Sequence, residues 1–454
     1  MHILSKDTPL TQDILKNCIL SHWENKDQYN YFKKYYDGAQ DIFNKYNEDS
    51  TKPCNRIMTN YCYDIVTNYS GYIIGIPTTY KSDSMDFTPI QDVLNYNDKN
   101  QQDTELTKQL LIYGRTYELH YIDSDGQCRY KIIPPTEMFC IHDDTLNHDI
   151  LYAVRMYEVD NCDRESNNKD YYVQVYDSKN ITTYKSNEQY SSFDLISEEQ
   201  HYYKQVPVIE YTTDDDTSIF NNIISLQDAY NTLQSAEVDD FEAFCDAYLV
   251  ITGMDADPDD IKDMKKNRIL LLDEGATASY LTKAISDTQI ENILKKLNDN
   301  IHKISKSPDF SDEKLLAQSG IAMRYKLVGF ENQSANIVNH LTKGMQKRIE
   351  LISTILNLTS ESDTEIWRDI DIVFTRNLPE NLLESAQIVS MLNGTVSNET
   401  LLTLLPFVSD PQAEAEKVKK EKDLYPTETL PNLLTGFSTQ PTTQHNTTQQ
   451  EETE

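Results

Sequence analysis

The chain has 454 residues, with 74 acidic against 41 basic side chains and a formal charge of −33, a balance that excludes a general binder of nucleic acid or anionic membranes. The length suffices for two or three domains around a sizeable core, and no run of about 18 apolar residues could span a bilayer. The N-terminal Met1-His-Ile-Leu-Ser-Lys-Asp7 lacks the apolar core of a signal peptide. The seven cysteines (18, 54, 62, 128, 140, 162 and 245) form no CxxC pair, which suits a reduced, intracellular assembly site. The nine histidines are scattered, so neither a metal centre nor a cofactor is expected. The 30 tyrosines supply apolar area with a polar tip, as broad subunit interfaces do.

Residues 1 to about 50 read as helical. Asp7-Thr-Pro-Leu10 has cap-and-start chemistry, and Ile14, Leu15, Cys18 and Ile19 share a face. A second helix is expected from Asn25 to Phe43, on Tyr29, Phe32, Tyr36 and Ile42. Asn55 to Asn60 leads into another helix through Ile65 and Tyr69, ending at Gly71 before a strand-like Tyr72-Ile-Ile74. Residues 104–211 read as β-rich. A helix over Glu105 to Ile112 ends at Gly114. Thr116 to Ile122 and Arg129 to Ile133 then form a hairpin that turns at Asp123-Ser-Asp-Gly126. Those aspartates lack the further ligands of a calcium loop. Further strands are expected at Leu151 to Val159, Tyr171 to Tyr176, Ile181 to Tyr184 and Pro207 to Tyr211, with a polar loop from Cys162 to Asp170.

Three helical stretches organise the second half. The first, from Asn222 to Val250, carries Leu226, Tyr230, Leu233, Phe241, Phe244 and Tyr248 at helical period. The second, from Ser286 to Ser305, carries Ile290, Leu294, Leu297, Ile301 and Ile304 as a heptad seam. Between them, Thr252 to Ala284 reads as a small module with a strand over Arg268 to Leu272. Pro308 ends the second helix. The third, from Gly320 to Leu356, has a stripe of Ile321, Tyr325, Val338, Leu341, Met345, Ile349, Ile352 and Leu356, with Gly329 and Gly344 as candidate kinks. A strand over Trp367 to Phe374 follows, then helices over Asn381 to Leu392, Ser397 to Leu405 and Asp410 to Leu424. The Thr/Gln/Pro/Asn-rich residues 425–454 have the composition of a disordered tail.

Charge distinguishes the first stretch. Between Asp214 and Asp263 lie fourteen acids, among them Glu237, Asp239, Asp240, Glu242, Asp246, Asp255, Asp257, Asp259 and Asp260, and one base, Lys262. A protein that grips DNA neutralises phosphates with Lys and Arg; this stretch repels them, as would a wall that lets DNA slide or an ordinary solvated helix face. No P-loop, GxSxG, HExxH or GxGxxG motif is present. Asp pairs could hold Mg²⁺ for nuclease chemistry, but none has a lysine at nuclease-like spacing, and the chain does not read as an enzyme.

Stretches spread from about 30 to 424 carry a resemblance. They include Tyr36-Asp-Gly38, Asn55-Arg-Ile57, Gly71-Tyr-Ile-Ile-Gly-Ile-Pro77, Tyr113-Gly-Arg-Thr-Tyr-Glu118, Ile133-Pro-Pro-Thr-Glu137 and Val206-Pro-Val208. Ser225-Leu-Gln-Asp-Ala-Tyr-Asn231 with Ser235, Phe244-Cys-Asp246, Ile251-Thr-Gly253, Ser319-Gly-Ile-Ala322, Phe374-Thr-Arg-Asn-Leu-Pro379 and Leu405-Pro-Phe-Val-Ser-Asp-Pro411 follow. In order and spacing the chain resembles the portal proteins of tailed bacteriophages, in the branch of long-tailed phages of Gram-positive hosts.

The resemblance implies an α+β portal fold, in a dodecameric ring at one capsid vertex of the virion, assembled in the host cytoplasm, through which double-stranded DNA is packaged and ejected. It implies as partners the terminase large subunit, head-completion or adaptor proteins, and the major capsid and scaffolding proteins, with no membrane. By position, 1–29 is an N-terminal arm and 30–221 a wing. Stem helices at 222–250 and 285–305 flank a clip at 251–284. A tunnel loop at 306–320 precedes the long helix and wing strand at 321–380 and a crown at 381–424. The loop would bring Lys306, Asp309, Asp312, Glu313, Lys314 and Gln318 towards DNA beside the acidic stem. The clip would offer Asp255, Asp257, Asp259, Asp260, Lys262, Lys265, Lys266 and Arg268 for docking. The rival readings are a Mg²⁺-dependent nucleic-acid-processing enzyme and another oligomeric capsid or connector component.

Overall fold

The computed structural model describes residues 2–47, 52–82, 86–160, 169–245, 248–253, 257, 262, 275, 277–281, 287–311, 320–360, 366–377, 382–405, 408 and 411–424. The fold is mixed α+β, as expected, in two compact units, 1–377 and 378–454.

The first unit opens with β1 (His2–Leu4) and α1 (Gln12–Tyr36). Thr11 rather than Asp7 caps α1, its side chain accepting from the Ile14 N–H. One helix replaces the two expected before Phe43. Leu15, Ile19, His22, Tyr29, Phe32 and Tyr36 hold a single buried face at steps of three, four and seven, and no Gly or Pro interrupts them. α2 (Tyr61–Ile74) runs straight through Gly71, so the strand expected at Tyr72 to Ile74 is helix. Its β-branched end is buried together with Ile65, Val66 and Tyr69, and packing overrides local propensity. β2 (Thr79–Lys81), α3 (Thr88–Tyr96) and α4 (Lys99–Tyr113) follow, and α4 ends at Gly114 as expected, at φ +78°.

The expected hairpin is β3 (Arg115–Ile122) with β4 (Cys128–Ile133). The Asp123 carboxylate turns it by accepting from the N–H groups of Asp125 and Gln127. β5 (Met138–Asp143), β6 (Ile150–Asp160), β7 (Lys169–Tyr176), β8 (Asn180–Ser186) and β9 (Phe193–Gln200) form an antiparallel meander, with β1 parallel to β5 at one edge. β10 (Val208–Thr212) pairs with β3. β6, β7, β8 and β10 lie where alternation placed them. β5 gave no such signal because it is buried on both faces, and β9 was also missed. The expected loop from Cys162 to Asp170 lies outside the described residues up to 168, and its last two residues belong to β7.

Leu15 and Ile19 of α1 pack with Phe139, Ile141, Val154 and Val173 on one face of the large sheet. On the other, Tyr117, Leu119 and Ile133 meet Met138, Cys140 and Ala153. His22 and His2 both lie against Phe139, with ring centroids 4.8 and 5.0 Å away. Burial, with the neighbouring positive charge, holds the His22 imidazole down at about 3 and that of His2 at about 4. Both values lie below the unfolded 6.5, so the unfolded chain binds protons that the folded one refuses. This cluster's contribution is full above pH 6.5 and is lost as pH falls towards 4 and below. His22→Phe is therefore expected to flatten the fall of melting temperature between pH 6.5 and 4; an unchanged slope would contradict this.

The first unit continues with α5 (Ile224–Cys245), β11 (Tyr248–Thr252), β12 (Thr277–Leu281), α6 (Asp287–Ser305), α7 (Gly320–Ser360) and β13 (Asp371–Val373), which pairs with β2. The first stretch thus ends as helix at Cys245. Tyr248 and Val250 belong to β11, antiparallel to β12. The strand expected at Arg268 to Leu272, and the tail 425–454, lie outside the described residues. On α6, Ile301 is buried but Ile304 is exposed, while Ser305 and Ser307 beside it are buried. On α7, Leu341, Met345, Ile349 and Ile352 are buried, whereas Tyr325 is 77% exposed. The strand expected over Trp367 to Phe374 is a 3₁₀ turn (Ile366–Asp369) and the short β13.

Neither glycine breaks α7. Gly344 lies under the Tyr211 ring, where an added Cβ would stand 2.1 Å from the ring. Gly344→Ala gains about 1 kcal/mol of helix propensity but must displace that buried ring, and overpacking costs about 1–3 kcal/mol. Lower thermal stability is expected; a rise would contradict the close packing.

In the second unit, α8 (Leu382–Leu392), α9 (Asn398–Thr403) and α10 (Pro411–Leu424) match the expected helices. Ser397 caps α9, accepting from the Thr400 N–H at 3.2 Å.

Candidate functional site

The α5–β11–β12–α6 stretch is anchored in an unexpected way. Past Ile224 in its first turn, the buried residues of α5 among those described are polar: Gln227, Asn231 and Ser235. With Asp239 they stand four residues apart and accept, in turn, the N–H groups of Tyr61 (3.0 Å), Thr59 (3.0 Å), Ile57 (2.9 Å) and Asn55 (2.5 Å). Four helical residues rise about 6 Å and two extended residues span about 6.6 Å, so the ladder keeps register from end to end. Asn231 also donates to Gln40 Oε1 at 2.6 Å. The apolar stripe read for this helix lies outside the ladder; Phe241 is 66% exposed. The signal that could have found the ladder is the Gln-Asn-Ser-Asp repeat at i+4, matching the resemblance stretches at 55–57 and 225–235. Asn231→Leu strands the Thr59 N–H in a half-buried site and is expected to cost about 1–3 kcal/mol, readable by denaturant unfolding.

A second feature missed in the sequence locks α7 to this body. Arg348 is fully buried within the stripe. It grips Glu118 of β3 with two bonds, Nε to Oε1 at 2.8 Å and Nη2 to Oε2 at 2.7 Å, and Asp103 of α4 with Nη1 at 2.6 Å. Its guanidinium lies over the Tyr130 ring at 4.6 Å. Tyr211 and His120 complete the shell of Glu118, at 3.0 and 2.9 Å. Burial pushes the Glu118 carboxyl up, but the Arg348 charge and the His120 bond more than offset it and hold it down at about 2.

The candidate channel residues are placed as follows. Asp239 is bound by Asn55 and by Lys45 at 2.7 Å; burial raises its carboxyl, and these bonds bring it below the ordinary range. Glu242 accepts from Asn55 Nδ2 at 3.0 Å. Glu237 and Asp240 are half-buried. Lys306 is exposed, at φ +58°, with Nζ 3.3 Å from Gln333 of α7. It borders a cleft of about 310 Å³ together with Asp214 and His340, which pair at 2.8 Å. Asp309 accepts from the N–H and hydroxyl of Ser311. Of the clip residues, Asp257 and Lys262 are exposed. Asp246, Asp255, Asp259, Asp260, Lys265, Lys266, Arg268, Asp312, Glu313, Lys314 and Gln318 lie outside the described residues. Among the described residues, no group of three or more His, Cys, Asp or Glu could hold a metal ion, and no helix is long and apolar enough to cross a membrane.

Comparison with known proteins adds to this geometry. Residues 15–425 match the family model described as phage portal protein, SPP1 Gp6-like. The chain is 23% identical over 424 residues to the portal protein of Bacillus phage SPP1, covering 88% of this chain and 82% of that protein. It is 22% identical over 426 residues to the portal protein of Clostridium phage phiCD119, covering 86% and 91%.

Proposed function

Since the chain belongs to the SPP1 Gp6-like family of phage portal proteins, a structural family rather than an enzymatic one, we propose that it forms the dodecameric ring at one capsid vertex through which DNA is packaged and ejected. The observation that carries this reading is the match from 15 to 425, within which two helices, α5 and α6, bracket the paired strands β11 and β12. On this reading α5 and α6 are the stem, residues 251–284 the clip, residues 306–320 the tunnel loop and residues 381–424 the crown. The terminase large subunit docks on the clip during packaging, and adaptor proteins replace it. Capsid and scaffolding proteins surround the wing.

The ring works by geometry and charge. Repeated acidic stems form a sleeve that phosphate does not adhere to. The polar ladder supports this role, because it fixes α5 to the 55–61 segment through polar side chains and leaves Phe241 exposed for a neighbouring copy. Lys306 and Asp309 are tied within their own chain, so contact with DNA requires those bonds to open. Deleting 252–284 is expected to leave the remaining fold intact, weaken ring formation and abolish binding of the terminase large subunit. Unaltered terminase binding by that deletion would sink the clip assignment.

A further inference from the structure

We propose that the outer edge of β10 is a strand-docking site, filled in the assembled ring by β9 of a second copy of this chain. The proposal rests on the portal reading and adds to it a specific junction between copies.

β10 is an edge strand, in the order β10-β3-β4. The Thr213 N–H donates to the Gly114 carbonyl and the His120 N–H to the Pro207 carbonyl, both at 2.8 Å. In an antiparallel ladder of this register the odd-numbered residues bond to β3. The N–H and C=O groups of Val208, Glu210 and Thr212 therefore point away from it, and they have no hydrogen-bond partner among the described residues. The opposite edge of the same sheet is covered. Asn97 accepts from the Tyr130 N–H at 3.1 Å and donates to the Cys128 carbonyl at 3.0 Å. An uncovered edge is a template for another strand.

The open edge faces a groove of about 1020 Å³ between β10, the turn from His142 to Ile150, and the α7 face from Asn339 to Glu350. His142, 4% exposed, bonds Glu210 through Nε2 at 2.8 Å, while its buried Nδ1 has no partner among the described residues. Lys347 is paired with Glu350, whereas Lys343, one turn earlier, has no acidic partner among the described residues. The groove thus offers backbone donors and acceptors and an unpaired cation, Lys343. Of the acids in its lining, Glu210 is paired with His142 and Glu350 with Lys347, and Asp149 lies on the turn, so an extended segment with an acidic residue placed beside Lys343 fits it.

β9 meets that description. It is the far edge of the six-stranded sheet. Its register against β8 slips at Thr183/Tyr184, opposite Ile196. Leu195 and Ile196 are consecutive and both exposed, at 62% and 53%, and exposed Asp194, Glu198 and Glu199 flank them. A bulge and charged side chains are the usual blocks on an edge strand, yet between them Leu195 and Ile196 leave apolar area uncovered, which a partner strand would bury. Within one copy β9 and β10 belong to different sheets and do not pair. One copy therefore carries both a donor and a recipient edge, which is the requirement for a head-to-tail junction that repeats around a closed ring.

The test places a photo-crosslinking amino acid at Leu195 in the full chain and irradiates rings assembled from mixed light and ¹⁵N-labelled protein. Crosslinks between light and heavy copies are expected within 205–212 or 339–350. They should disappear in Thr212→Pro, which removes only an outward-facing N–H and leaves the bonds of Tyr211 to β3 in place; an unchanged melting temperature of the unassembled protein checks this. Rings that crosslink elsewhere, or only to another capsid protein, or that crosslink equally well with Thr212→Pro, overturn the proposal and leave the portal reading standing. Failure of the unsubstituted chain to form rings, at high concentration and with scaffolding protein present, overturns both.

Discussion

Arg348→Ala is expected to destabilise the first unit by about 3–5 kcal/mol, the cost of leaving buried carboxylates without their cation. Glu118 and Asp103 are both buried beside it, and Glu118 loses two of its charged bonds at once. Whole domains are stable by only about 5–15 kcal/mol, so a large shift in melting temperature should follow. Arg348→Met restores packing volume but not charge, and should recover little unless Glu118→Gln and Asp103→Asn accompany it. The pH dependence gives an independent check. The folded Glu118 carboxyl sits near 2, below its unfolded value of about 4.5, so its contribution is present above pH 4.5 and is lost as pH falls through 2. That acid-labile contribution should be missing from the alanine variant. A loss under 1 kcal/mol, with the acid window retained, would contradict the role assigned to this network.

Gly114→Val is expected to cost about 2–4 kcal/mol, combining left-handed backbone strain with steric overlap. At φ +78° the position disfavours any side chain. An added Cβ would stand 2.3–2.4 Å from backbone atoms of Thr217, which cannot swing aside as a side-chain end can. The same residue closes α4 through its N–H to Leu110 and accepts from Thr213, so strain there reaches both the helix end and the start of the 213–222 segment. Denaturant unfolding of the purified variant reads the effect; a midpoint equal to that of the parent would contradict the close approach.

Much of the fold was legible from alternation of residue type and from turn chemistry. The alternation of β6, β7 and β8 and the turn at Asp123 to Gly126 could all be placed from residue type and spacing. The failures share a physical cause. Apolar periodicity assumes that buried means apolar, and α5 departs from this: past Ile224 its buried line is Gln227, Asn231 and Ser235, continued by the part-buried Asp239. Arg348 hides the same way, as a cation inside a stripe of Met345, Ile349 and Ile352. β5 is buried on both faces and shows no period at all. The acidic count of the stem region was visible, but not that Asp239 and Glu242 are turned towards Asn55. The family could be read from ordered short stretches along the chain, whereas the ladder that joins two of them, 55–57 and 225–235, needed the third dimension.

On the proposed function, copies of this chain close into a ring around a hole wide enough for duplex DNA. Native mass spectrometry of the purified protein, paired with negative-stain imaging of the same sample and repeated with scaffolding protein present, tests it most directly. A closed assembly of about a dozen copies with an open axial hole is expected. A protein that stays monomeric at high concentration and with scaffold, or a closed particle without an axial opening, would contradict it.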